Sequence, residues 1–307
     1  MNWEKIGQVY NVNGKLPWAS SHAMIPTPIA LEDRIRVFFG TRGTNGKASI
    51  SFVDLDINDP SQIIAEHDRP VLSHGQVGCF DDCGVLPGCL VKTEDRLLMY
   101  YVGFNVRNTV PYSNAIGVAE SFDDGITFQR VYEGAVVDRT KDEPYFSVSP
   151  CVISDGKSWK MYYASCTEWI SVNDKYEALY HIKMASSSDG FNWDRPNISC
   201  ILPLKDDESN ARPTVFIKDG IFHMYYSYRG SSDFRDGVDS YRLGYAISQD
   251  GEHWERKDSE CGIGFSEDGW DSKMLAYPSV LEVGQSTYLF YNGNGFGQTG
   301  FGIAKMV

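Results

Sequence analysis

Residues 149–165, SPCVISDGKSWKMYYAS, contain the pattern that decides the fold: a proline, an apolar run, a turn and an aromatic-rich strand. Four other segments of the chain repeat this pattern. The anchoring prolines are spaced by 61, 63, 63 and 65 residues, and they are Pro26, Pro87, Pro150, Pro213 and Pro278. So regular a period predicts a repeat architecture in which each unit buries its apolar face against its neighbours.

Each unit continues with a third apolar strand, and three units then reach an Asp-Gly turn followed by an aromatic residue. These turns are SFDDGITF from Ser121, SSSDGFNW from Ser186 and ISQDGEHW from Ile247. Asp-Gly at such a point is typical of a β-hairpin, so a fourth strand begins at the aromatic residue. Four strands in about 60 residues predict an all-β fold, a five-bladed β-propeller with four antiparallel strands per blade.

The two chain ends support this prediction. The fifth unit stops after its third strand, at residues 306–307, and residues 2–5 (NWEK) resemble residues 253–256 (HWER) of a fourth strand. We therefore expect the N-terminal strand to close the last blade, which removes two open sheet edges. Residues 1–307 then form one five-bladed β-propeller domain.

Composition narrows the possible partners. The net charge is −13 and the isoelectric point about 4.9, a balance that repels nucleic acid and anionic lipid. The sequence contains no apolar run long enough for a membrane span and no basic-then-apolar start typical of a signal peptide. We expect a carbohydrate partner, no nucleic acid and no membrane.

The seven cysteines are odd in number and irregularly spaced, and no paired CxxC motif is present. A zinc site is therefore not expected, nor any other metal or cofactor. Free, buried thiols in a reducing compartment are the simpler interpretation, which predicts a cytoplasmic protein.

Propeller topology predicts where a site lies. Residues just before each anchoring proline and just after each aromatic strand converge at one mouth of the central channel. Asp82 and Glu208 both lie five residues before their prolines, and Asp81 is next to the first of them. Glycoside cleavage needs one carboxylic acid to protonate the leaving oxygen and a second carboxylate as base or nucleophile. We expect these three acids to supply the catalytic pair.

Other residues shortly before the anchoring prolines or just after the aromatic strands have side chains that can bind sugar hydroxyls or stack on a sugar ring. The candidate substrate-binding residues are His22, Arg42, Glu168, Arg212, Arg229, Asp271, Tyr277 and Asn292. Structural roles stay open for all of them. An Asp in a turn often caps that turn, a charged loop can be merely solvated, and an arginine or histidine can be part of a buried network.

The repeat and its SSSDGFNW-like turns resemble the five-bladed glycosidase superfamily of arabinanases, β-xylosidases, invertases and levansucrases. The segments FDDCGVLPGCL, NARPTVFIKDGIFHMYYSYRG, GWDSKMLAYP and LFYNGNGFGQTGFGIA also look like glycosidase-related proteins encoded in bacterial polysaccharide gene clusters. The resemblance covers essentially the whole chain.

The resemblance implies a trio of acids from early, middle and later blades, with the first directly before the blade-one proline. Ile25 occupies that position here, and Lys273 stands where the closer relatives would have Glu. Glu208 is the nearest candidate for the acid. The resulting hypothesis is a glycoside hydrolase-like enzyme acting on an oligosaccharide or polysaccharide-derived sugar. The alternatives are a catalytically silent glycan-binding propeller and a glycosyl-transferring or phosphorolytic enzyme.

Overall fold

The computed structural model describes residues 1–155, 157–235 and 237–307, and these are mostly β-strand. In chain order the strands are β1 (Trp3–Tyr10), β2 (Ser21–Ala30), β3 (Arg34–Arg42), β4 (Ala48–Asp56), β5 (Ile63–Glu66), β6 (Gly84–Lys92), β7 (Leu97–Val106), β8 (Tyr112–Ser121), β9 (Gln129–Arg130), β10 (Ser147–Ser154), β11 (Trp159–Val172), β12 (Lys175–Ser187), β13 (Asp194–Ile201), β14 (Ser209–Lys218), β15 (Ile221–Arg229), β16 (Arg242–Ser248), β17 (Glu255–Arg256), β18 (Ala276–Val283), β19 (Ser286–Asn292) and β20 (Phe301–Met306). Two single-turn 3-10 helices lie at Asp258–Glu260 and Asn294–Gly297. In this described part, no helix is long and apolar enough to cross a membrane.

The strands form antiparallel groups that follow the sequence repeat. We call β2–β5 repeat 1, β6–β9 repeat 2, β10–β13 repeat 3, β14–β17 repeat 4, and β18–β20 with β1 repeat 5. Repeats 3, 4 and 5 are separate four-stranded sheets. Repeats 1 and 2 belong to one eight-stranded sheet, which a single parallel contact between Ala48 and Gly84 joins. The division into five separate blades therefore stays a prediction, while the all-β architecture is confirmed.

The N-terminal strand pairs with the last strand, as the sequence predicted. β1 runs antiparallel to β20, from Trp3 opposite Met306 to Tyr10 opposite Phe301. The Trp3 indole also donates a hydrogen bond of 2.9 Å to the Tyr225 hydroxyl of repeat 4. The beginning of the chain thus completes repeat 5 and contacts its neighbour.

The first strands of the repeats lie side by side in a cycle. β2 contacts β6, β6 contacts β10, β10 contacts β14, β14 contacts β18, and β18 contacts β2. The strand register shifts near the anchoring proline in each of these strands. A register shift at proline is expected, because proline cannot donate a hydrogen bond to the neighbouring strand.

The second strand of each repeat (β3, β7, β11, β15 or β19) carries two consecutive aromatic residues, and these explain how the repeats pack. The first tyrosine reaches the Asp-Gly turn of the next repeat: the Tyr100 hydroxyl donates to the Gly190 carbonyl at 2.8 Å, and Tyr162 donates to Gly251 at 2.7 Å. Both rings are fully buried between sheets. Burying a ring of this size contributes about 1.5–3 kcal/mol, and the hydroxyl is satisfied rather than orphaned.

All seven cysteines are free thiols, four of them buried. Two of them, Cys89 and Cys151, lie on first strands, where their sulfur atoms accept backbone hydrogen bonds from the next repeat. Val152 donates to Cys89 at 3.1 Å, and Val215 donates to Cys151 at 3.3 Å. These cysteines therefore help to join neighbouring repeats at the centre of the molecule.

Candidate functional site

One end of the sheet cycle is the mouth, which we define as the end where the first strands begin and the second strands finish. The strand register brings these two points together, with Ser21 opposite Arg42 and Ser209 opposite Arg229. Cavities open at this end beside repeat 2 and beside repeat 4. In repeats 1 and 4 this register brings the residues that precede the first strand next to those that end the second strand.

The mouth groove consists of three adjoining cavities of about 620, 220 and 180 Å³. They adjoin because they share lining residues: Asn105 and Cys83 line the first two, while Arg107 and Arg139 line the first and third. The residues that matter for chemistry are Arg42, Asp82, Asn105, Arg107, Tyr112, Arg139, Tyr145 and Trp169. The groove therefore combines a carboxylate, hydrogen-bonding groups and aromatic rings, as sugar recognition requires.

Asp82 is partly exposed in the largest cavity of the groove. One carboxylate oxygen accepts hydrogen bonds from the Asn105 amide at 2.8 Å and the Cys83 thiol at 3.1 Å. The other accepts the Gly78 amide at 3.0 Å. These donors hold the pKa of Asp82 below its usual value, and the Gly78 amide has the largest effect. Asp82 is thus ionised at neutral pH, and it also closes the turn before β6.

Glu208 lines a different cavity of about 490 Å³ beside repeat 4. Its side chain is 8% exposed and pairs with Arg256 at 2.6 Å. Arg256 also contacts Asp258 at 2.5 Å, so the guanidinium is shared between two carboxylates. Asp82 and Glu208 therefore lie at the same end of the molecule but line separate cavities.

Asp81 and Asp271 lie in buried clusters that repeat along the chain. Asp81 contacts Arg130 at 2.7 Å and accepts the Tyr101 hydroxyl at 3.1 Å. Asp271 contacts Lys5 at 2.7 Å and accepts the Tyr291 hydroxyl at 3.0 Å. We call such an arrangement an acid–tyrosine–base cluster, and two further ones are Glu143–Tyr163–Arg195 and Asp258–Tyr226–Arg256. In each cluster the base is on the outermost strand. In the clusters of Asp81, Glu143 and Asp271 the acid lies in the loop before the first strand, so these three clusters join that loop to the sheet edge, whereas Asp258 lies just after the outermost strand.

His22 and Arg42 lie together at the mouth in repeat 1. The His22 ring contacts the Ser21 hydroxyl at 2.9 Å, and burial together with the Arg42 charge lowers the pKa of His22 to about 4. The imidazole is therefore neutral at pH 7. Arg42 is exposed in the groove, where it contacts the Met24 sulfur at 3.8 Å.

Arg229 and Asn292 already bind protein groups. The Arg229 guanidinium donates to the Tyr180 hydroxyl and to the carbonyls of Ala178 and Gly230, and it lies 3.8 Å above the Phe234 ring. The fully buried Asn292 amide joins repeats 5 and 1, because it donates to the Ala23 and Gly300 carbonyls and accepts the Ile25 amide. Both side chains therefore stabilise the protein structure next to the mouth.

The remaining candidate substrate-binding residues are Tyr277, Glu168 and Arg212. Tyr277 packs against Tyr241 with 5.8 Å between ring centroids, and burial raises the pKa of Tyr277. Glu168 is exposed on β11. Arg212 is 1% exposed and donates to Thr27 of β2 at 3.2 Å, and it does not line the groove.

The backbone is strained where the repeats meet the mouth. Four residues directly before anchoring prolines have left-handed φ angles of 52–58°, and they are Ile25, Ser149, Arg212 and Tyr277. A bulky residue in this region is uncommon, and a following proline adds to the cost. Such strain persists only where the surrounding structure imposes it, and it concentrates at functional sites.

The sequence analysis missed the far wall of the groove. Trp169 packs on Tyr112 with 5.3 Å between ring centroids, and Tyr145 is exposed beside them. Arg107 and Arg139 stand where this aromatic wall meets the Asp82 cavity. They lie in loops after β7 and before β10, whose lengths differ between repeats, so no repeat offset pointed to them. Among the described residues, no cluster of three or more His, Cys, Asp or Glu side chains is arranged to hold a metal.

Comparison with solved structures places the fold among the glycoside hydrolase-like propeller enzymes. A glycoside hydrolase aligns with a TM-score of 0.75 and 16% identity over 98% of this chain and 91% of its own. A thermostable family-43 glycoside hydrolase aligns with a TM-score of 0.68 and 15% identity, over 94% and 90% of the two chains. A structure from the GH130 family of mannoside phosphorylases, which contains glycoside hydrolases targeting beta-1,2 mannosidic linkages in Candida mannan, aligns with a TM-score of 0.70 and 15% identity, over 99% and 93%. At these identities the likeness concerns the fold.

The chain belongs to the family of the uncharacterized protein Rv1502 of Mycobacterium tuberculosis (strain ATCC 25618 / H37Rv). The two are 36% identical over 308 residues, covering 100% of this chain and 99% of the relative. The uncharacterized protein MT1551 of strain CDC 1551 / Oshkosh gives the same identity and coverage. No family model matches the chain.

Proposed function

We propose that this protein is a single-domain, five-bladed propeller enzyme that hydrolyses a glycosidic bond in the mouth groove. The observation that carries the proposal is Asp82: an ionised, partly exposed carboxylate in a large cavity, which adjoins aromatic rings and exposed arginines. An ionised carboxylate can accept the proton of a water molecule, while the rings bind the apolar face of a sugar. The glycosidase fold of the structural neighbours supports the same class of substrate.

In this proposal Asp82 is the base and Glu208 is the second carboxylate. The Glu208 carboxylate already accepts a hydrogen bond from Arg256, so proton donation by Glu208 requires that contact to break when substrate binds. Asp258 can retain the arginine at that moment, because it already contacts the same guanidinium. The proposal requires both carboxylates to reach the same glycosidic bond, with the carboxyl groups about 6.5–9.5 Å apart for inversion or about 5–5.5 Å apart for retention. Asp81 is the alternative base, although it is already paired with Arg130.

A glycan-binding protein without turnover is the second candidate. The residues before the first three anchoring prolines are Ile25, Leu86 and Ser149, so none of these positions supplies a carboxylate. The separate cavities of Asp82 and Glu208 favour the same alternative. Phosphorolysis through Arg42, Arg229 and His22 is less favoured, because Arg229 is already bonded and His22 is neutral.

The protein is expected to act in the cytoplasm, since seven free thiols favour a reducing compartment. Among the remaining predicted contacts, Arg42, Glu168 and Tyr277 are the proposed substrate-binding residues beside the groove.

The test is hydrolysis of a panel of oligosaccharides by the full chain and by the variants Asp82→Asn and Glu208→Gln. Each variant keeps the side-chain shape and removes a titrating group, so each should lower kcat by about 10²–10⁴-fold with glycan affinity largely kept. Glu133→Gln is the matched control, because Glu133 lines the Asp82 cavity outside the proposed pair. Full activity in both variants would refute the pair, and glycan binding without turnover by the unmodified protein would favour the binding module.

A further inference from the structure

Arg212 is the largest fully buried side chain of the described residues, and its hydrogen bonding is incomplete. It lies on β14 directly before Pro213, in the left-handed φ region, and is 1% exposed. Its terminal Nη2 donates to the Thr27 hydroxyl at 3.2 Å, whereas its Nε has no protein partner. A guanidinium carries five N–H donors, so this one is poorly satisfied for a buried group.

No carboxylate balances the charge of Arg212 among the residues that the structure describes. Other buried arginines are compensated in one of two ways. Arg36 pairs with Asp54 at 2.8 Å, and Arg229 donates to several carbonyl and hydroxyl oxygens. Arg212 has neither form of compensation. An uncompensated buried charge is strongly unfavourable, and burial accordingly lowers the pKa of Arg212.

The described neighbours of Arg212 are neutral groups: the Thr27 hydroxyl accepts its hydrogen bond and donates in turn to the Ile25 carbonyl. The thiols of Cys89 and Cys151 are the groups that act electrostatically on Arg212. Burial raises the pKa of both thiols, so they remain neutral S–H groups and do not serve as counter-ions. Each sulfur already accepts a backbone amide, which leaves its S–H free to donate weakly to a further group.

Arg212 is also directed away from the mouth groove. Thr27, Cys89 and Cys151 lie one or two residues beyond their anchoring prolines, which is deeper along the first strands than the mouth. Arg212 is therefore placed inside the channel, among four first strands, and not beside Asp82.

We propose that the Arg212 guanidinium binds a small monovalent anion of the halide class inside the channel. One positive charge with an unpartnered N–H, near two neutral thiols, matches a single negative charge without directional lone pairs. Phosphate or sulfate would need further cations. The anion would neutralise Arg212 and bind the first strands of repeats 1 to 4 to a common centre.

Bromide is the direct probe, because it replaces chloride and scatters X-rays anomalously. Crystals of the full chain soaked in sodium bromide should show an anomalous peak within about 3.5 Å of the Arg212 guanidinium, at hydrogen-bonding distance. Water density at this position, with bromide only on the outer surface, would overturn the proposal. This experiment needs no variant.

Thermal unfolding supplies the second measurement. Chloride should raise the Tm relative to gluconate at equal ionic strength, by about 5 °C at one hundred times the Kd. Arg212→Met should lose this chloride dependence, whereas Arg96→Met, which removes an arginine paired with Glu120 nearer the surface, should keep it. An equal chloride effect in Arg212→Met would contradict the proposal. If Arg212→Met does not fold, the bromide crystals decide.

Discussion

Asp81 and Asp82 are neighbours in the chain, yet they have opposite environments. Asp81 is completely buried and bound to Arg130 and Tyr101, whereas Asp82 faces the largest cavity of the mouth groove. Adjacent residues in the turn before β6 point to different sides, so one stabilises repeat 2 and the other is available to a ligand. A position near the mouth is therefore not enough to make a carboxylate available to a ligand.

The same comparison extends to other repeats. The acids of three acid–tyrosine–base clusters lie six or seven residues before an anchoring proline, and they are Asp81, Glu143 and Asp271. Asp82 lies one residue closer to the proline than this set. Repeat 1 has Phe39 where the others have the cluster tyrosine, and a phenylalanine ring cannot donate to an acid. The clusters are therefore a device of the repeat, while the groove is particular to one side of the mouth.

The sharpest test compares Asp81→Asn with Asp82→Asn. Removing the Asp81 charge leaves Arg130 largely buried beside Tyr101 without its partner, so the free energy of unfolding should fall by about 3 kcal/mol. Asp82→Asn should cost about 1 kcal/mol or less, because Asn keeps the turn oxygen and the site is hydrated. Urea denaturation of both variants provides the measurement.

The rate of hydrolysis is a second measurement that separates Asp81→Asn from Asp82→Asn. Per folded molecule, Asp81→Asn should retain hydrolysis and Asp82→Asn should lose it. If Asp81→Asn loses activity while its Tm is unchanged, Asp81 is the base and our assignment of the two carboxylates is reversed.

Much of the fold could be predicted because the repeat contains residues that strongly favour one local backbone structure. Prolines on the first strands, tyrosine pairs on the second and Asp-Gly turns each favour one local structure, and β1 paired with β20 as expected. The site was harder. Asp271 and Asp81 have the right residue type and nearly the right offset, but side-chain direction in a turn depends on single backbone angles. Arg139 comes from a loop that the repeat does not constrain, and Trp169 lies on the last part of β11, which is longer than the other second strands.

A smaller loss of stability is expected at the cluster of Asp271, a residue that the sequence analysis predicted to bind substrate. Asp271→Asn removes the charged partner of Lys5, a contact that joins β1 to the loop before β18. Lys5 is 24% exposed, so solvent can take over part of the lost contact, and the free energy of unfolding should fall by about 1–2 kcal/mol. Lys5→Met measured by urea denaturation provides the reverse change. A larger loss at Asp271 than at Asp81 would show that burial of the base does not control the cost.

The smallest effect concerns the charge state of the mouth, where His22 should make stability depend on pH. In the folded protein the pKa of His22 is about 4, below the ordinary value near 6.5, so unfolding takes up a proton between these values. Stability is then fully present above about pH 6.5, falls as the pH decreases toward 4, and levels off below that. Allowing for solvent screening, the loss should be about 1 kcal/mol.

His22→Gln should flatten this part of the curve, measured as the free energy of unfolding between pH 4 and 7. His253 provides a control of opposite sign, because its contact with Asp250 raises the pKa of an exposed ring. His253→Gln should therefore leave the acid-side decline intact. Burial also lowers the pKa values of His67, His181 and His223, so part of the decline should remain in His22→Gln. A decline as large as that of the unmodified protein would mean that the pKa of His22 is not lowered and that the ring is charged at the mouth below about pH 6.5. In that case the groove would present a cation beside Arg42, and the argument against an anion-dependent reaction there would fail.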